Sequence, residues 1–577
     1  MASLMLGNEA IAQGAFEAGV MVASAYPGTP STEITEHLAL LPVPHVEWAP
    51  NEKVALEVCI GASLAGTRSI CSMKHVGLNV AADPLFTASY TGVGGGLVVC
   101  VADDQGMHSS QNEQDSRHYA EASKTLMLEP SDSAECRMFA MKAFELSEEF
   151  DTPVIIRLST RISHSRSLVE AGRPLPPPIR EFQRNPGKYV MMPAMARRRH
   201  EIVEERLKKI KSFAEEDSIN TVEMHADEIG VISSGISYQY AKEALGDKAS
   251  YLKLGMVYPL PDKLMKDFAA SVGKCYVIEE LDPFIETHCR SLGLNVSGKE
   301  LFSPLGEYTS LQIRQAVLGE KAEGAESFEA LPGRPPVMCA GCPHRAVFYA
   351  LKQIKGLTVT GDIGCYTLAA LAPLSMLDSC VCMGASIGMA HGMEKALGRK
   401  QAEKTIAVLG DSTFLHSGIT GLIDIVYNKG TSAIIILDNS ITGMTGHQEN
   451  PSTGLTIRNE PTKQLDLKKL CEAVGIERVA VADPFDYKSF LALVRQELAA
   501  GEPSVIIAQR PCALLKKVKY KERFEVSQSC VKCGICLKIG CPAIYKAPDG
   551  KSGIDEAQCV GCGYCANLCA LKAIASK

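Results

Sequence analysis

The stretch from Gly410 to Thr445, GDSTFLHSGITGLIDIVYNKGTSAIIILDNSITGMT, indicates the fold of the chain. One apolar run, Thr405 to Leu409, leads into it, and a second, Ala433 to Leu437, lies inside it. Short apolar runs bounded by polar turns predict two buried parallel strands. The carboxyl ends of such strands would bring Asp411 and Asn439 together at the edge where open α/β sheets bind ligands.

A carboxylate and a side-chain amide at this edge suit a divalent cation that holds a diphosphate, because magnesium prefers oxygen ligands and commonly bridges phosphates. A GDS sequence after a strand also fits an ordinary strand-to-helix turn, and the second strand with Asn439 favours the binding site. The stretch resembles the Gly-Asp-Gly...Asn motif of thiamine diphosphate enzymes, with Ser412 at the third position. The resemblance implies that Mg²⁺ binds Asp411 and Asn439, and that the cofactor contacts Gly410, Asp411, Ser412, Asn439 and Thr442.

Length and composition exclude several classes of protein. The 577 residues have room for about four domains. A hydrophobic content of 46% with 22% charged residues is typical of a soluble globular protein. The net charge of -7 argues against a nucleic-acid or membrane-surface partner. The N-terminus has no signal-peptide pattern and no apolar run is long enough to span a bilayer, so we expect a cytoplasmic protein.

Alternating helical and strand-like segments predict an α/β protein with three parallel-sheet domains and a small cysteine-rich tail. The predicted α/β domains are residues 1–170, 226–325 and 335–515, and the tail is 520–577. Residues 171–225 are predicted to be a connector that contains an amphipathic helix at Arg197 to Ala214. We expect the charged residues of this helix to form a solvated face.

Eight of the 21 cysteines lie between Cys530 and Cys569. Such density in a chain without a secretory signal indicates metal ligation and not disulfides. The second series of four has the C-x2-C-x2-C-x3-C spacing of bacterial ferredoxins, and the first has four residues before its last cysteine. Zinc ribbons are the alternative, but zinc sites rarely use tight triplets of cysteines.

In two-cluster ferredoxins the fourth cysteine of each series ligates the other cluster. This exchange predicts two [4Fe-4S] clusters, one held by Cys530, Cys533, Cys536 and Cys569 and the other by Cys559, Cys562, Cys565 and Cys541. The tail is therefore predicted to transfer electrons.

A thiamine diphosphate site joined to iron-sulfur clusters predicts the oxidative decarboxylation of a 2-oxo acid. The cofactor stabilises the negative charge left when carbon dioxide departs, and the clusters can remove two electrons one at a time. The acyl group then needs an acceptor, for which coenzyme A is the usual thiol. A non-oxidative decarboxylase would need no ferredoxin tail, and an electron-transfer subunit without its own chemistry would need neither Asp411 nor Asn439.

The order of the motifs, with YPGTPSTE at 26–33, the thiamine motif in the third α/β domain and the ferredoxin tail, resembles the alpha subunit of the indolepyruvate type in the 2-oxo acid:ferredoxin oxidoreductase superfamily. The resemblance covers essentially the whole chain. It implies domains of thiamine-enzyme type: pyrimidine-binding at 1–170, transketolase-C-like at 226–325, diphosphate-binding at 335–515 and a two-cluster ferredoxin at 520–577.

The same resemblance implies that the substrates are arylpyruvates, such as indolepyruvate and phenylpyruvate, with coenzyme A as acyl acceptor and ferredoxin as electron acceptor. It also implies a smaller beta subunit, and we expect a dimer of heterodimers. Branched-chain or simple 2-oxo acids stay open as alternative substrates, because the local motifs do not exclude them.

By resemblance, Glu52 bonds the aminopyrimidine ring of the cofactor, with Glu57 as its rival. Thr29, Ser31 and His75 are implied substrate contacts, and His75 is otherwise an ordinary structural histidine. Gly384 and Ser386 are implied cofactor contacts, although small residues also serve close helix packing.

Four further cysteines are candidates for a third cluster near the cofactor, because related 2-oxo acid oxidoreductases hold one with cysteines at comparable positions. These residues are Cys339, Cys342, Cys365 and Cys512. The alternative is that Cys365 and Cys512 are small buried residues beside the cofactor, since free cysteine packs readily in cores.

Overall fold

The computed structural model describes residues 2–178, 180–320, 333, 335–520 and 522–577. It divides the chain into two compact units, Met1–Phe328 and Glu329–Lys577. Residues 321–325, at the end of the domain predicted at 226–325, lie outside the described residues, as does Lys521 of the predicted tail. Both units contain parallel sheets covered by helices, so the α/β fold class predicted from the sequence is confirmed.

The first unit begins with a seven-stranded sheet. Its strands are parallel except for one edge strand, and their order is Met256–Tyr258, Leu126–Leu128, Val154–Ser159, Leu97–Asp103, Ser69–Lys74, Val22–Ala25 and His45–Trp48. The three central strands are buried along their whole length, as expected for a sheet covered by helices on both faces. A two-stranded antiparallel ribbon, Ala2–Leu6 with Arg166–Glu170, accompanies this sheet.

The antiparallel edge strand Met256–Tyr258 comes from the segment predicted to form the second α/β domain. The rest of that segment forms a five-stranded sheet in the same unit. Its order is Val296–Ser297, Lys274–Ile278, Ile229–Ser234, Ser250–Leu254 and Thr221–Glu223, with the last strand antiparallel. Residues 226–325 therefore contribute to both sheets of the first unit.

Fourteen α-helices are described in the first unit. They are Gly7–Glu17, Thr32–Leu40, Glu52–Leu64, His75–Val80, Ala82–Thr91, Arg117–Ser123, Ser133–Phe150, Thr160–His164, Pro186–Tyr189, Pro193–Glu216, Gly235–Leu245, Asp262–Ala270, Phe284–Ser291 and Ser310–Leu318. Several begin at a side chain that accepts a backbone N–H, as Asn51 does from Val54 and Asp132 from Glu135. These caps fix the positions at which the helices follow their strands.

The amphipathic helix of the connector is Pro193–Glu216, with Val203 and Ile210 fully buried. The prediction that its charges form a solvated face is wrong for Arg199 and Arg206, which are 7% and 4% exposed. Arg199 donates to the Tyr90 carbonyl at 2.6 Å and Arg206 to the Ser89 carbonyl at 2.8 Å. Both guanidinium groups therefore bond carbonyl groups that end the helix Ala82–Thr91.

The second unit contains a five-stranded, fully parallel sheet. Its order is Thr358–Thr360, Thr405–Gly410, Ala433–Asp438, Ser504–Gln509 and Arg478–Ala482. The α-helices around it are His344–Leu351, Ala385–Leu397, Arg399–Ala402, Asp411–Thr413, Ile419–Tyr427, Leu467–Ala473 and Tyr487–Leu498, and a π-helical turn spans Phe414–Gly418. The two strands predicted around the opening stretch are adjacent and parallel, with Gly410 opposite Leu437.

The cysteine-rich tail packs on this second sheet domain. It has two antiparallel ribbons, Phe524–Val526 with Ile574–Ser576 and Ile544–Lys546 with Ser552–Ile554, and a short helix, Tyr564–Leu568. Tyr564 and Ile539 belong to the same hydrophobic core as Phe348 and Phe485 of the sheet domain. The tail is therefore held against that domain by a shared core.

Among the described residues, no helix combines the length and apolar character needed to cross a membrane.

Candidate functional site

Asp411 and Asn439 follow the carboxyl ends of two neighbouring parallel strands in the second unit. Both side chains are buried, with 2% and 7% of their surface exposed. The Gly410 N–H donates to the Tyr366 hydroxyl at 3.0 Å, and the Ser452 hydroxyl lies 3.4 Å from Asp411 Oδ2. The end of the strand is thus held by a tyrosine, and the carboxylate faces a group of oxygen atoms.

Asp438 is a second buried carboxylate at this edge. It accepts the Ser440 N–H at 3.0 Å and the Gln509 amide at 2.8 Å. Burial raises the pKa of Asp411 to about 7, and the negative charge of Asp438 adds to the shift. The described residues place no Lys or Arg within ion-pair distance of either carboxylate. Two buried carboxylates with neighbouring hydroxyl and amide oxygens fit a hard cation such as Mg²⁺.

The loop after Asn439 is held by backbone and side-chain hydrogen bonds. The Thr442 N–H donates to the Gln448 carbonyl at 2.9 Å, and the Thr442 hydroxyl accepts the Asn450 amide at 3.3 Å. The carbonyl of Asn439 accepts the N–H of Cys512 at 2.9 Å. These bonds fix Thr442 and Cys512 relative to the proposed metal ligand.

Gly384 and Ser386 begin the helix Ala385–Leu397, and their N–H groups donate to the carboxylate of Asp362 at 2.8 and 3.1 Å. Burial raises the pKa of Asp362 to about 6. Gly384 has φ of 84°, and a β-carbon there would lie 2.8 Å from the Ser417 carbonyl carbon, so the turn requires glycine. Asp362 was not singled out from the sequence, although it follows the short strand Thr358–Thr360 and Gly361 much as Asp411 follows its own strand and Gly410.

Two of the four candidate cysteines of the sheet domain, Cys365 and Cys512, lie beside the same loop. A β-carbon on Gly443 would fall 3.6 Å from Asn439 Nδ2 and 3.7 Å from Cys365 Sγ. Cys512 Sγ is 3.8 Å from His447 Nε2. Burial raises the pKa of Cys342 to about 12 and that of Cys365 to about 11, and the nearby thiol of Cys339 raises both further. The Cys339 thiol also raises the pKa of Cys512, so Cys339 interacts electrostatically with the other three thiols, and the set fits a metal cluster whose binding would displace their protons.

The tail cysteines line two separate cavities. The first cavity is lined by Cys530, Cys533, Cys536 and Cys569, and the second by Cys541, Cys559, Cys562 and Cys565. These are the two sets that the exchanged ferredoxin pattern predicts, and each offers four thiols to one [4Fe-4S] cluster. Their role as ligands stays a prediction.

The two cavities differ in their surroundings. The second is also lined by Cys342 and Arg345 of the sheet domain, and the Arg345 guanidinium donates to the Ile539 carbonyl at 3.0 Å. The first is lined by tail residues alone and includes Cys533, which is exposed. The second cavity therefore lies toward the cofactor motif, and the first lies toward solvent.

In the first unit, Glu52 is the first residue of the helix Glu52–Leu64 and is 5% exposed. Its carboxylate packs against Gly77, where a β-carbon would fall 2.6 Å from Glu52 Oε1. Glu57, its rival, has 44% of its side chain exposed and forms an ion pair with Lys53. The two glutamates share a helix, but only Glu52 lies in the poorly hydrated setting that proton sharing with a ring nitrogen requires.

Thr29, Ser31 and His75 lie at the carboxyl ends of adjacent strands, Val22–Ala25 and Ser69–Lys74. The Ser31 hydroxyl donates to the Gly28 carbonyl at 2.8 Å, and the Thr29 carbonyl accepts the Ser109 hydroxyl at 3.2 Å. His75 is 1% exposed, with Nε2 3.3 Å from the Asn112 carbonyl. Its Nδ1 has no hydrogen-bond partner among the described residues.

Lys74 lies beside these residues; the resemblance placed the Lys74-His75 segment near the substrate, but Lys74 itself was not among the assigned contacts. It is 8% exposed, and its Nζ donates to the carbonyl of Ser109 at 2.8 Å and to the hydroxyl of Ser109 at 3.2 Å. Burial lowers the pKa of Lys74 to about 8, and the negative charge of Asp104 opposes the shift. No carboxylate of the described residues lies within 4.0 Å of Nζ, so a buried ammonium group is available for an anion. Its position at the end of a predicted strand, directly before His75, is the sequence feature that could have identified it as a site residue.

Two family models match the chain. The model described as "Pyruvate flavodoxin/ferredoxin oxidoreductase, thiamine diP-bdg" matches residues 13–229, and "Thiamine pyrophosphate enzyme, C-terminal TPP binding domain" matches residues 362–508. These ranges contain Glu52 and Asp411, respectively. Thiamine diphosphate is thus supported as the cofactor by both halves of the chain.

Curated relatives match over nearly the whole length. "Indolepyruvate oxidoreductase subunit IorA" of Archaeoglobus fulgidus is 41% identical and covers 99% of this chain and 97% of its own. The protein of the same name from Pyrococcus abyssi is 39% identical and covers 98% and 95%. Among solved structures, "2-oxoglutarate:ferredoxin oxidoreductase from Magnetococcus marinus with 2-oxoglutarate, coenzyme A and succinyl-CoA bound" has a TM-score of 0.47 and 19% identity over 55% of this chain and 65% of that chain.

Full-length identity near 40% to the IorA proteins, together with thiamine-binding domains of the oxidoreductase type, shows the family. The chain belongs to the indolepyruvate oxidoreductase IorA family and is a 2-oxo acid:ferredoxin oxidoreductase of the indolepyruvate type.

Proposed function

We propose that the chain is the catalytic subunit that converts an arylpyruvate and coenzyme A into an arylacetyl-CoA and carbon dioxide. The carboxyl group leaves as carbon dioxide, the acyl carbon bonds to the thiol sulfur, and one proton and two electrons are released. Two oxidised ferredoxins accept these electrons, one each. The preference for aryl side chains is supported by the names of the relatives, which are indolepyruvate oxidoreductases.

The observation that best supports a 2-oxo acid substrate is the burial of Lys74. A buried ammonium group without a carboxylate partner suits the carboxylate of a substrate, since a charge-assisted hydrogen bond in a poorly hydrated site is strong. Thr29, Ser31 and His75 lie at the same ends of the strands and are proposed to contact the carboxylate or the adjacent carbonyl. This arrangement would orient the carboxyl group for departure.

Thiamine diphosphate, when bound, supplies the nucleophilic carbon and the positively charged ring that stabilises the carbanion. We propose that Glu52 bonds the aminopyrimidine ring and shares its proton, because Glu52 is buried whereas Glu57 is exposed in an ion pair. Asp411 and Asn439 are proposed to hold Mg²⁺ on the diphosphate, with Gly410, Ser412 and Thr442 beside it. Gly384 and Ser386 would support this site through Asp362.

We propose that three sets of cysteines would hold clusters, which would supply one-electron acceptors between the cofactor and the surface. The first is held by Cys339, Cys342, Cys365 and Cys512, the second by Cys541, Cys559, Cys562 and Cys565, and the third by Cys530, Cys533, Cys536 and Cys569. The order is supported by Cys342, which lines the cavity of Cys541, Cys559, Cys562 and Cys565, and by the exposure of Cys533, which belongs to the last set. Iron analysis of the anaerobically purified chain tests the number, since about twelve irons are expected for three cubanes and about eight for two.

We also propose that a smaller beta subunit joins the chain in a dimer of heterodimers, to be tested by the sedimentation mass of the purified complex. The function is tested with this complex, coenzyme A and methyl viologen under anaerobic conditions. Indolepyruvate and phenylpyruvate should exceed pyruvate and 2-oxoisovalerate in kcat/KM by at least about tenfold, a difference that binding of one aromatic side chain can supply. A higher value for 2-oxoisovalerate or pyruvate would contradict the arylpyruvate assignment, and viologen reduction without coenzyme A at an unchanged rate would contradict the acyl acceptor.

A further inference from the structure

The tail is positively charged in a chain that is acidic as a whole. Residues 520–577 contain eight Lys and Arg and five Asp and Glu, a net charge of +3, and three more lysines, Lys516, Lys517 and Lys519, directly precede them, whereas the net charge of the whole chain is -7. Basic residues concentrated in one small domain raise the local concentration of negatively charged partners and speed their association. The electron-exit end of the protein therefore favours an acidic partner.

Two exposed apolar residues lie at the mouth of the cavity formed by Cys530, Cys533, Cys536 and Cys569. Val531 is 62% and Leu571 56% exposed, and both line this cavity. Each is followed by an exposed lysine, Lys532 and Lys572. Among the described residues of the tail, Lys577 forms an ion pair with Glu556. Neither Lys532 nor Lys572 forms an ion pair with a described residue. Apolar contacts next to unpaired charges are typical of an interaction surface.

The backbone gives a second reason to regard these lysines as functional. Lys532 has φ of 62° and Lys572 has φ of 49°, in the left-handed region that disfavours side chains with a β-carbon. In the second cysteine series the position that corresponds to Lys532 is Gly561, with φ of 83°. Lysine is therefore found where glycine would relax the backbone. Such strain at a surface position points to a use for the side chain.

We propose that Val531, Lys532, Leu571 and Lys572 form the docking surface for the electron acceptor, a ferredoxin-type protein that presents carboxylates around its own cluster. This inference rests on the proposed function, because the acceptor is needed there only if electrons leave through the tail. Each docking event would pass one electron to the oxidised acceptor cluster, so one substrate molecule supports two events. No atoms are exchanged between the two proteins.

The test uses the complete enzyme with its partner subunit and compares Lys532→Glu and Lys572→Glu with the control Lys400→Glu. Lys400 is an exposed lysine of the sheet domain, so the control makes the same change in net charge. The two tail variants should raise the KM for an acidic ferredoxin by about tenfold or more and flatten its dependence on ionic strength. Reduction of methyl viologen, a small cation, should be unchanged, and so should the iron content.

Lys532→Gly and Lys572→Gly serve as second variants, since they remove the charge and relax the backbone. They should raise the KM for ferredoxin while the tail becomes no less stable, which separates docking from folding. An unchanged KM and salt dependence in all four variants would overturn the docking surface and indicate an acceptor that binds elsewhere, such as on the partner subunit. The docking surface would also be overturned if the glycine variants lost the same share of activity with viologen as with ferredoxin. Failure of the proposed function would be distinguishable, because viologen reduction would then be absent from the unmodified enzyme.

Discussion

The carboxylate of Glu52 lies directly against Gly77, so that a β-carbon on residue 77 would fall 2.6 Å from Glu52 Oε1. This close approach is possible only with glycine, and it keeps Glu52 out of solvent at the start of its helix. The contact also explains why two glutamates five residues apart on one helix are not equivalent. It leads to the first prediction.

Glu52→Gln should lower kcat by about 10²- to 10⁴-fold, the range expected for the loss of a group that transfers a proton. Glu57→Gln is the matched control and should leave kcat within a factor of two or so, because the Glu57 side chain is exposed. The measurement is viologen reduction at saturating substrate, with bound thiamine diphosphate quantified in parallel. Gly77→Ala should act in the same direction as Glu52→Gln by displacing the carboxylate. If Glu57→Gln lost activity while Glu52→Gln kept normal activity, Glu57 and not Glu52 would be assigned to the aminopyrimidine ring.

Asp411→Asn should abolish magnesium-dependent retention of thiamine diphosphate. The substitution removes the negative charge that a hard cation needs, while the size of the side chain is preserved. Asp424→Asn is the control, because the Asp424 side chain is 55% exposed on a nearby helix. The cofactor that remains after gel filtration in magnesium buffer is the readout. Equal cofactor content in Asp411→Asn and the unmodified chain would remove Asp411 from the site.

Lys74 should make substrate binding depend on pH. Its pKa is lowered to about 8, so the free enzyme loses the ammonium charge as the pH rises through that value. The KM for the 2-oxo acid should therefore rise above pH 8, with a smaller change in kcat. Lys74→Met should raise the KM at pH 7 by about 10- to 100-fold and abolish this rise, since loss of one member of a buried charge pair costs about 2 kcal/mol or more. A pH profile of KM that Lys74→Met leaves intact would rule out the carboxylate contact.

The lowered pKa of Lys74 also has a consequence for stability. The unfolded chain keeps the lysine protonated to about pH 10.5, whereas the folded chain releases the proton near pH 8. The unfolded state thus binds more protons between these values, and the contribution of Lys74 to the free energy of unfolding becomes more favourable as the pH rises from 8 to 10.5. Between pH 8 and pH 10.5, the unfolding midpoint of the unmodified chain should therefore rise relative to the midpoint of Lys74→Met.

Arg117→Ala should destabilise the first unit strongly. Arg117 is 1% exposed and pairs at 2.5 Å with both Asp115 and Glu279, which are themselves buried. Removing the guanidinium group takes the nearest positive charge from two buried carboxylates, at a cost of about 3 to 5 kcal/mol, because Arg157 lies 3.8 Å from Asp115 and Glu279 keeps only backbone N–H donors. Arg314→Ala is the control, since the side chains of Arg314 and its partner Glu320 are 48% and 38% exposed and their ion pair should contribute less than about 1 kcal/mol.

Trp48, the single tryptophan, lies in a strand of the first unit, and its fluorescence reports the unfolding of that unit in denaturant. The unfolding midpoint should fall clearly in Arg117→Ala and stay close to that of the unmodified chain in Arg314→Ala. Equal midpoints in the two variants would show that the buried network does not stabilise this unit.

The sequence by itself determined the features that depend on local patterns. Apolar runs before Asp411 and Asn439 predicted adjacent parallel strands, because the length of a run and its flanking turn residues report burial along a short segment. The spacing of the tail cysteines predicted the two sets that line the two cavities, since three cysteines of each set are close together in the chain and the fourth follows the exchange known from two-cluster ferredoxins.

The tertiary structure alone decided which polar groups are buried and what they face. The family resemblance favoured Glu52 over Glu57, and the structure adds a physical difference, because Glu52 is buried against Gly77 whereas Glu57 is exposed in an ion pair. Asp362 and Asp438 were missed because their carboxylates gain their roles from distant partners, Ser386 and Gln509.

Arg199 and Arg206 were expected in solvent but bond carbonyls more than a hundred residues away. Lys74 became a candidate because its ammonium group is buried without a carboxylate. Burial and pairing of charges depend on contacts that are far apart in the chain, which no local pattern of residues records.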